Sequence, residues 1–215
     1  MTAGLVLDRL ALRIHDRPLI GPLDLTVPAG VIGAVVGPSG VGKSTLLAVI
    51  AGIAGPGVTM AGRVWLDGTA IDGLPPEARR VGLMMQDDLL FPHLTVAANI
   101  GFGLPAGLSR ARRRALIDAA LAEAGLAGLG GRDPLTLSGG QRARVALMRM
   151  LVARPRMVLM DEPFARLDRP LAHRLRTAVF ARIRAEAVPT LIVTHDPDEA
   201  AAAGGPVLDL QAADG

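Results

Sequence analysis

Eight consecutive residues have the types and spacing to hold phosphate. Gly37, Pro38, Ser39, Gly40, Val41, Gly42, Lys43 and Ser44 follow the pattern glycine, four residues, glycine–lysine, then serine or threonine. Glycines let a backbone wrap closely around an anion, and successive N–H groups and a helix N-terminus then point at it. In such a cradle Lys43 reaches the β- and γ-phosphates and the Ser44 hydroxyl binds Mg²⁺. Composition singles this stretch out, because Lys43 is the one lysine beside 22 arginines. A lone lysine falls on that position by chance about once in 215 placements. A compact ammonium enters a cradle that a wide planar guanidinium does not fit.

Three further stretches could act with it. The apolar run 157–160 leads into Asp161 and Glu162. Neighbouring residues on a strand point opposite ways, so two adjacent acids can serve one site differently, one toward a Mg²⁺ shell and one toward a water. A polar turn is the plainer reading. A second apolar run, 190–194, ends at His195, where ligands of α/β sheets bind. Leu137, Ser138, Gly139, Gly140 and Gln141 precede a helix expected from Arg142 to about Ala153, with Ser138 placed to cap it. Two glycines at a helix N-terminus leave room for an anion, and an ordinary capped loop stands as the alternative. His15 and His173 have no supporting context, and His93 falls among predicted helices.

The elements that must carry these residues follow from periodicity. Residues 31–36 read as a buried strand and 45–51 as a helix, giving the strand–loop–helix setting the phosphate loop requires. Residues 5–14 and 19–27 alternate apolar and polar around a turn at 15–18, which predicts antiparallel strands. Residues 62–68 form a further short strand with glycine ends, and Pro75 and Pro76 open a helical turn. Residues 81–85 form a buried strand ending at Gln86, with Met84 and Met85 as core filler. Residues 87–135 read as loops and helices, among them a helix from Ser109 to Ala124 with Leu116, Ile117, Ala120, Leu121 and Ala124 on one face. Its arginines form a solvated face or meet a partner or lipid head groups. Residues 125–131 read as a flexible exit.

Bulk properties narrow the class. At 215 residues, half of them hydrophobic, the chain suits one large domain with an inserted subdomain. Apolar runs are too short to span a membrane, and Met1–Asp8 carries no leader pattern. The absence of cysteine excludes disulfides and thiolate metal sites. Net charge is only +3, so the high isoelectric point argues little for nucleic acid.

Taken together, residues 37–44, Gln86, the pentapeptide 137–141, residues 157–162, the run Ala165, Arg166, Leu167, Asp168, and His195 resemble the ATP-binding subunit of a bacterial ABC transporter from end to end. Scarcity supports the match: two of three glutamines and three of four serines lie in these motifs. The resemblance implies an α/β fold, a P-loop, RecA-like core (residues 1–86 and 156–215) with an antiparallel β subdomain and an inserted α-helical subdomain (87–155). It implies an ATPase whose two copies meet head to tail. ATP would lie between residues 37–45 of one, Thr45 included, and Ser138, Gly139, Gly140 and Gln141 of the other. Asp161, Ser44 and Gln86 would attend Mg²⁺, Glu162 would be general base or water positioner, His195 would hold the γ-phosphate and water, and Asp168 would bridge the dimer. The helical region would dock on an integral membrane permease at the cytoplasmic face of the plasma membrane, with an extracytoplasmic solute-binding protein as a further partner and no nucleic acid.

Residues 88–100 and the short chain are similar to importer ATPases, particularly the thiamine, polyamine and molybdate group. An exporter or lipoprotein-release ATPase is the alternative, and a soluble ABC protein acting on nucleic acid a weaker one. Two departures stand out. Ile14 occupies the position where the family stacks adenine on an aromatic ring, leaving Ile14 or His15 to hold the base. The chain also ends about 20 residues after His195, so a C-terminal regulatory domain is expected to be absent.

Overall fold

The computed structural model describes residues 4–210. The leader reading of residues 1–8 therefore falls partly outside the described residues. The chain divides into two compact units. One comprises residues up to Leu83, Arg156–Glu162 and Thr177 onward; the other comprises Met84–Pro155 and Pro163–Arg176. Residues 163–176, Asp168 among them, thus group with the helices, not with the core to which the sequence reading assigned them.

In the first unit, β1 (Gly4–Ile14) and β2 (Arg17–Pro28) pair antiparallel, and β1 pairs antiparallel with β4 (Val58–Leu66). The turn is shorter than the spacing suggests. His15 and Asp16 alone make it, with φ of 45° and 63°, the mirror-image turn whose twist suits a hairpin. β4 also starts four residues earlier than expected. Gly62 lies within it where the β1 register shifts, and a Cβ there would come 2.3 Å from the Arg9 carbonyl oxygen. β5 (Thr69–Ala70) completes the sheet in the order β2-β1-β4-β5. In β1, Leu5 and Leu7, and Leu10 and Leu12 beyond a register shift, are buried, which gives this sheet its apolar face.

The second sheet is built from β3 (Ile32–Val36), β6 (Val81–Met84), β7 (Met157–Asp161), β8 (Thr190–Val193) and β9 (Gly204–Asp209), in the order β6-β7-β8-β3-β9. β3 runs parallel to β8 and β9, and β7 parallel to β8. Every residue of β7 and β8 is buried, the continuous apolar pattern of a parallel sheet covered on both faces. Helix α1 (Lys43–Ala51) follows β3 and begins two residues before its predicted start; α2 (Pro76–Arg79) is the expected helical turn.

The second unit contains α3 (Val96–Gly103), α4 (Arg110–Glu123), α5 (Gly139–Val152) and the start of α6 (Arg169–Ala185); α7 (Pro197–Ala203) belongs to the first. The wholly buried Asn99 donates to the carbonyls of Phe91, Leu94 and Thr95 and accepts from Phe91 N–H. That network shapes residues 91–95 without regular structure. On α4, Ala120 and Leu121 are buried, followed by Ala124, while Leu116 and Ile117 are half-buried. The stretch 125–131 is not a loose exit. Leu126 is wholly buried, and the carbonyls of Gly130 and Arg132 accept from Ala97 and Val96 N–H at 2.8 and 3.0 Å.

Candidate functional site

Strand β3 ends at Val36, and residues 37–42 carry the chain into α1. Gly37 has φ 142°, and a Cβ there would meet the Leu210 carbonyl oxygen at 2.3 Å. Gly42 has φ 104°, and its Cβ would lie 2.9 Å from Leu19. Both positions therefore demand glycine by conformation and by space. Gly42 is the N-cap of α1 with no side-chain cap bond and no acid in the first turn, so the helix N-terminus stays open to an anion. Lys43 is buried, and its Nζ donates to the carbonyls of Gly37 and Pro38, both at 2.8 Å. The ammonium is folded onto the loop that a phosphate would fill.

Asp161 closes β7, 4% exposed. Burial pushes its carboxyl above the usual carboxylate range and Glu162 adds to this; a hydrogen bond from the Ser44 hydroxyl and the Lys43 charge oppose it. Ser44 and Asp161 thus form a pair of hard oxygen donors, which suits Mg²⁺. Among the described residues no cluster of three His, Asp or Glu could hold a metal, so such an ion would take its other ligands from phosphate and water.

Glu162 has left the strand. Its φ is 47°, and its N–H donates to Val193 O of β8 at 2.9 Å. This left-handed backbone separates the two acids, in place of the strand alternation expected from sequence. Glu162 Oε1 lies 3.0 Å from Nδ1 of His195, which follows β8 by two residues. A carboxylate oxygen accepts, so in this contact the His195 Nδ1–H is the donor. His195 is 67% exposed and Glu162 24%. Asp161, Glu162 and His195 therefore stand at or just beyond the ends of the neighbouring strands β7 and β8, and Lys43 and Ser44 open the helix that follows β3, the next strand of the same sheet.

Ile14 and His15 line a cavity of about 460 Å³ with Arg17, Pro18 and Leu19. Leu19 also packs on Gly42, so this cavity abuts the phosphate loop. Arg17, Pro18 and Leu19 escape a sequence reading because only the hairpin turn brings them beside Ile14. Thr45 is half-buried in the first turn of α1.

In the helical unit, Ser138 caps α5, which begins at Gly139, three residues before its predicted start. Gln141 N–H donates to Ser138 Oγ at 3.3 Å, and Gln141 Oε1 accepts from Ser138 N–H at 2.9 Å. This capping box leaves the Ser138 hydroxyl proton free to donate. Gly140 is more than an uncovered helix end: a Cβ there would lie 2.9 Å from Arg166 O. Asp168 Oδ1 accepts from Leu171 N–H at 3.0 Å, in the first turn of α6. Gln86 is exposed in a bend two residues beyond β6, so the strand ends earlier than expected. Asp88, which sequence reading left within a longer motif, binds two arginines distant in sequence.

A family described as ABC transporter matches residues 20–165. An uncharacterized ABC transporter ATP-binding protein, YnjD, of Escherichia coli K12 is 42% identical over 206 residues, covering 96% of this chain and 94% of YnjD. The sulfate/thiosulfate import ATP-binding protein CysA of Gloeobacter violaceus is 42% identical, over 92% of this chain and 57% of CysA. The Fe(3+) ions import ATP-binding protein FbpC of Pseudomonas fluorescens is 46% identical, over 85% and 52%. The chain spans about half the length of these two import proteins. Among solved structures, a dimeric ATP-binding cassette, MJ0796, in a post-hydrolysis state bound to ADP and Pi superposes with TM-score 0.83 at 25% identity, over 97% of this chain and 96% of that one.

Proposed function

This chain belongs to the ABC transporter family, and from that premise we propose that it is the ATP-binding and ATP-hydrolysing subunit of an importer. One observation carries the ATPase reading: a buried lysine after a glycine loop, a Ser44–Asp161 oxygen pair and a Glu162–His195 pair close or follow the strands β3, β7 and β8 of one sheet. Lys43 exchanges its two carbonyl contacts for the β- and γ-phosphate oxygens of ATP, and the open N-terminus of α1 donates to them. Ser44 and Asp161 would hold Mg²⁺, which would neutralise charge on the leaving diphosphate. Glu162 accepts a proton from water as its oxygen bonds to the γ-phosphorus and the β–γ bridging bond breaks, releasing ADP and phosphate. His195 Nδ1–H holds the Glu162 carboxylate in place, and its other ring nitrogen, when it carries a proton, donates to the γ-phosphate.

Ser138 and Gly140 of a second copy supply the remaining donors, Gln86 senses the cation, and Asp168 lies at the dimer contact. Adenine rests in the cavity of Ile14, His15, Arg17, Pro18 and Leu19, on aliphatic side chains and an imidazole rather than an aromatic stack. The dimer drives uptake through a membrane permease supplied by an extracytoplasmic binding protein. Homologues named as import ATPases support the direction. No described helix is long and apolar enough to cross a membrane, so association would be through the permease. Within importers the sequence motifs favour the thiamine, polyamine and molybdate group, although the relatives' names include sulfate, Fe(3+) and 2-aminoethylphosphonate. Affinity purification that recovers a permease and a binding protein supports uptake; recovery of an exporter or lipoprotein-release membrane subunit overturns it. Phosphate release from ATP, with Mg²⁺ present, tests the chemistry.

A further inference from the structure

Gln86, the pentapeptide 137–141 and Asp168 come from three separate passes of the chain, yet all fall in one compact unit. One carboxylate joins those passes. Asp88, two residues after Gln86, has a side chain only 8% exposed. Its Oδ2 accepts from Arg142 Nε at 3.3 Å, in the first turn of α5, and from Arg166 Nη1 at 3.1 Å, in the loop before Asp168. These partners are 54 and 78 positions away. Asp87 takes only the looser, exposed contact, 3.8 Å from Arg166 Nη2.

The surrounding bonds make the joint directional. Arg149, two turns along α5 from Arg142, donates to the carbonyls of Asp88 and Leu89 and lies 5.1 Å over the Phe91 ring. Arg142 also donates to Leu137 O at 2.8 Å, which ties the same guanidinium to the residue before the Ser138 cap. Arg166 O and the Leu167 side chain sit against Gly140 closely enough to leave no room for a Cβ. A shift of the residues after Gln86 therefore drags the N-terminus of α5 and the 163–168 loop with it.

We propose that Asp88 is a positioning residue, through Arg142 and Arg166, that makes Gln86, the Ser138–Gly140 donors and Asp168 move as one piece. Resting on the ATPase reading, the consequence is communication between two nucleotides. Gln86 attends the ATP held by its own subunit, whereas Ser138 and Gly140 complete the ATP site of the partner. The joint carries the state of one site to the other, and its loss uncouples them without emptying either.

Two readouts test this on the full chain. The first is hydrogen exchange without nucleotide. Asp88→Asn is expected to lower amide protection in both the first turn of α5 and residues 163–171, and Arg166→Gln in residues 163–171 alone. Protection unchanged in both variants overturns the joint. The second is ATP hydrolysis against ATP concentration. Wild type is expected to show a Hill coefficient above 1 and up to about 2, and Asp88→Asn about 1, with kcat down about five-fold or more and KM within about two-fold. Arg166→Lys, which keeps a charge, should retain more of the coupling than Arg166→Gln. Adding Arg166→Gln to Asp88→Asn should change little further. A cooperative Asp88→Asn enzyme, or a non-cooperative wild type that hydrolyses ATP, sinks the coupling. A wild type that binds no ATP instead removes the ATPase reading, while the exchange experiment still decides the joint.

Discussion

The two units place their polar groups by different means. In the parallel sheet, Asp161, Glu162 and His195 stand at the ends of β7 and β8, whose residues are all buried, and Lys43 and Ser44 open the helix after β3. Apolar packing and the backbone ladder hold the geometry, and a side-chain hydrogen bond joins Glu162 to His195. In the helical unit, Gln86, Ser138 and Asp168 stand on loops and helix ends, tied by Asp88, Arg142, Arg149 and Arg166. A sheet of buried strands can change position only by large rearrangement, whereas partly exposed charge pairs are individually modest and salt-screened. Rigid placement suits the proposed reacting end, and looser ties suit a region proposed to engage and release a second copy.

The largest test of that contrast is Glu162→Gln. Glutamine retains a carbonyl oxygen for the His195 hydrogen bond, so the sheet-borne geometry should survive while the proton acceptor is lost. Hydrolysis is expected to fall by about a hundred-fold or more, with ATP binding intact and an ATP-bound dimer accumulating in size-exclusion chromatography. Near wild-type turnover would remove Glu162 from the chemistry. Next comes Lys43→Ala, which deletes a charge-assisted contact to phosphate. Nucleotide affinity measured by titration should weaken about ten-fold or more; unchanged affinity would break the cradle.

A smaller effect concerns acidity. Burial raises the Asp161 carboxyl above its ordinary value of 3.8. The group favours the fold when protonated, and that contribution is lost as pH rises through the raised value. Divalent-cation binding has the opposite sign, since it requires the ionised form. Mg²⁺ dependence of hydrolysis should therefore weaken on acidification at a pH above that at which an ordinary aspartate protonates. The dependence should vanish in Asp161→Asn; an identical pH response in that variant would show that Asp161 does not bind the cation.

What sequence could reveal follows the same division. Residues 37–44, Asp161, Glu162 and His195 lie where local patterning and strand periodicity coincide, so their juxtaposition follows once the strands become one parallel sheet. The hairpin turn was placed too widely because the spacing of Pro18 does not show that His15 and Asp16 adopt positive φ. Residues 163–176 were assigned to the core because nothing local says that Arg166 pairs with an acid 78 positions earlier. Asp88 was legible only as the first residue of the stretch 88–100. Its burial depends on two arginines that the fold brings to it.

Arg79 offers the mildest test, because there an ionic group serves the sheet-bearing unit. It is buried and donates to four carbonyls: Val49 and Ile50 at the end of α1, and Asp72 and Leu74 before α2. A cation at a helix C-terminus offsets the dipole and satisfies carbonyls that the helix leaves open. Gly52, with φ 83°, permits this approach, since a Cβ there would come 2.7 Å from Arg79 Nε. Arg79→Met keeps the apolar stem and strands the acceptors. Unfolding by urea should show a loss of about 2 kcal/mol, with ATP affinity nearly unchanged because the opposite end of α1 faces the phosphates. A variant that loses affinity in proportion to stability would mean that α1 transmits strain along its length. The phosphate loop would then be held partly by charge, as the helical unit is, and the contrast between the two units would narrow to one of degree.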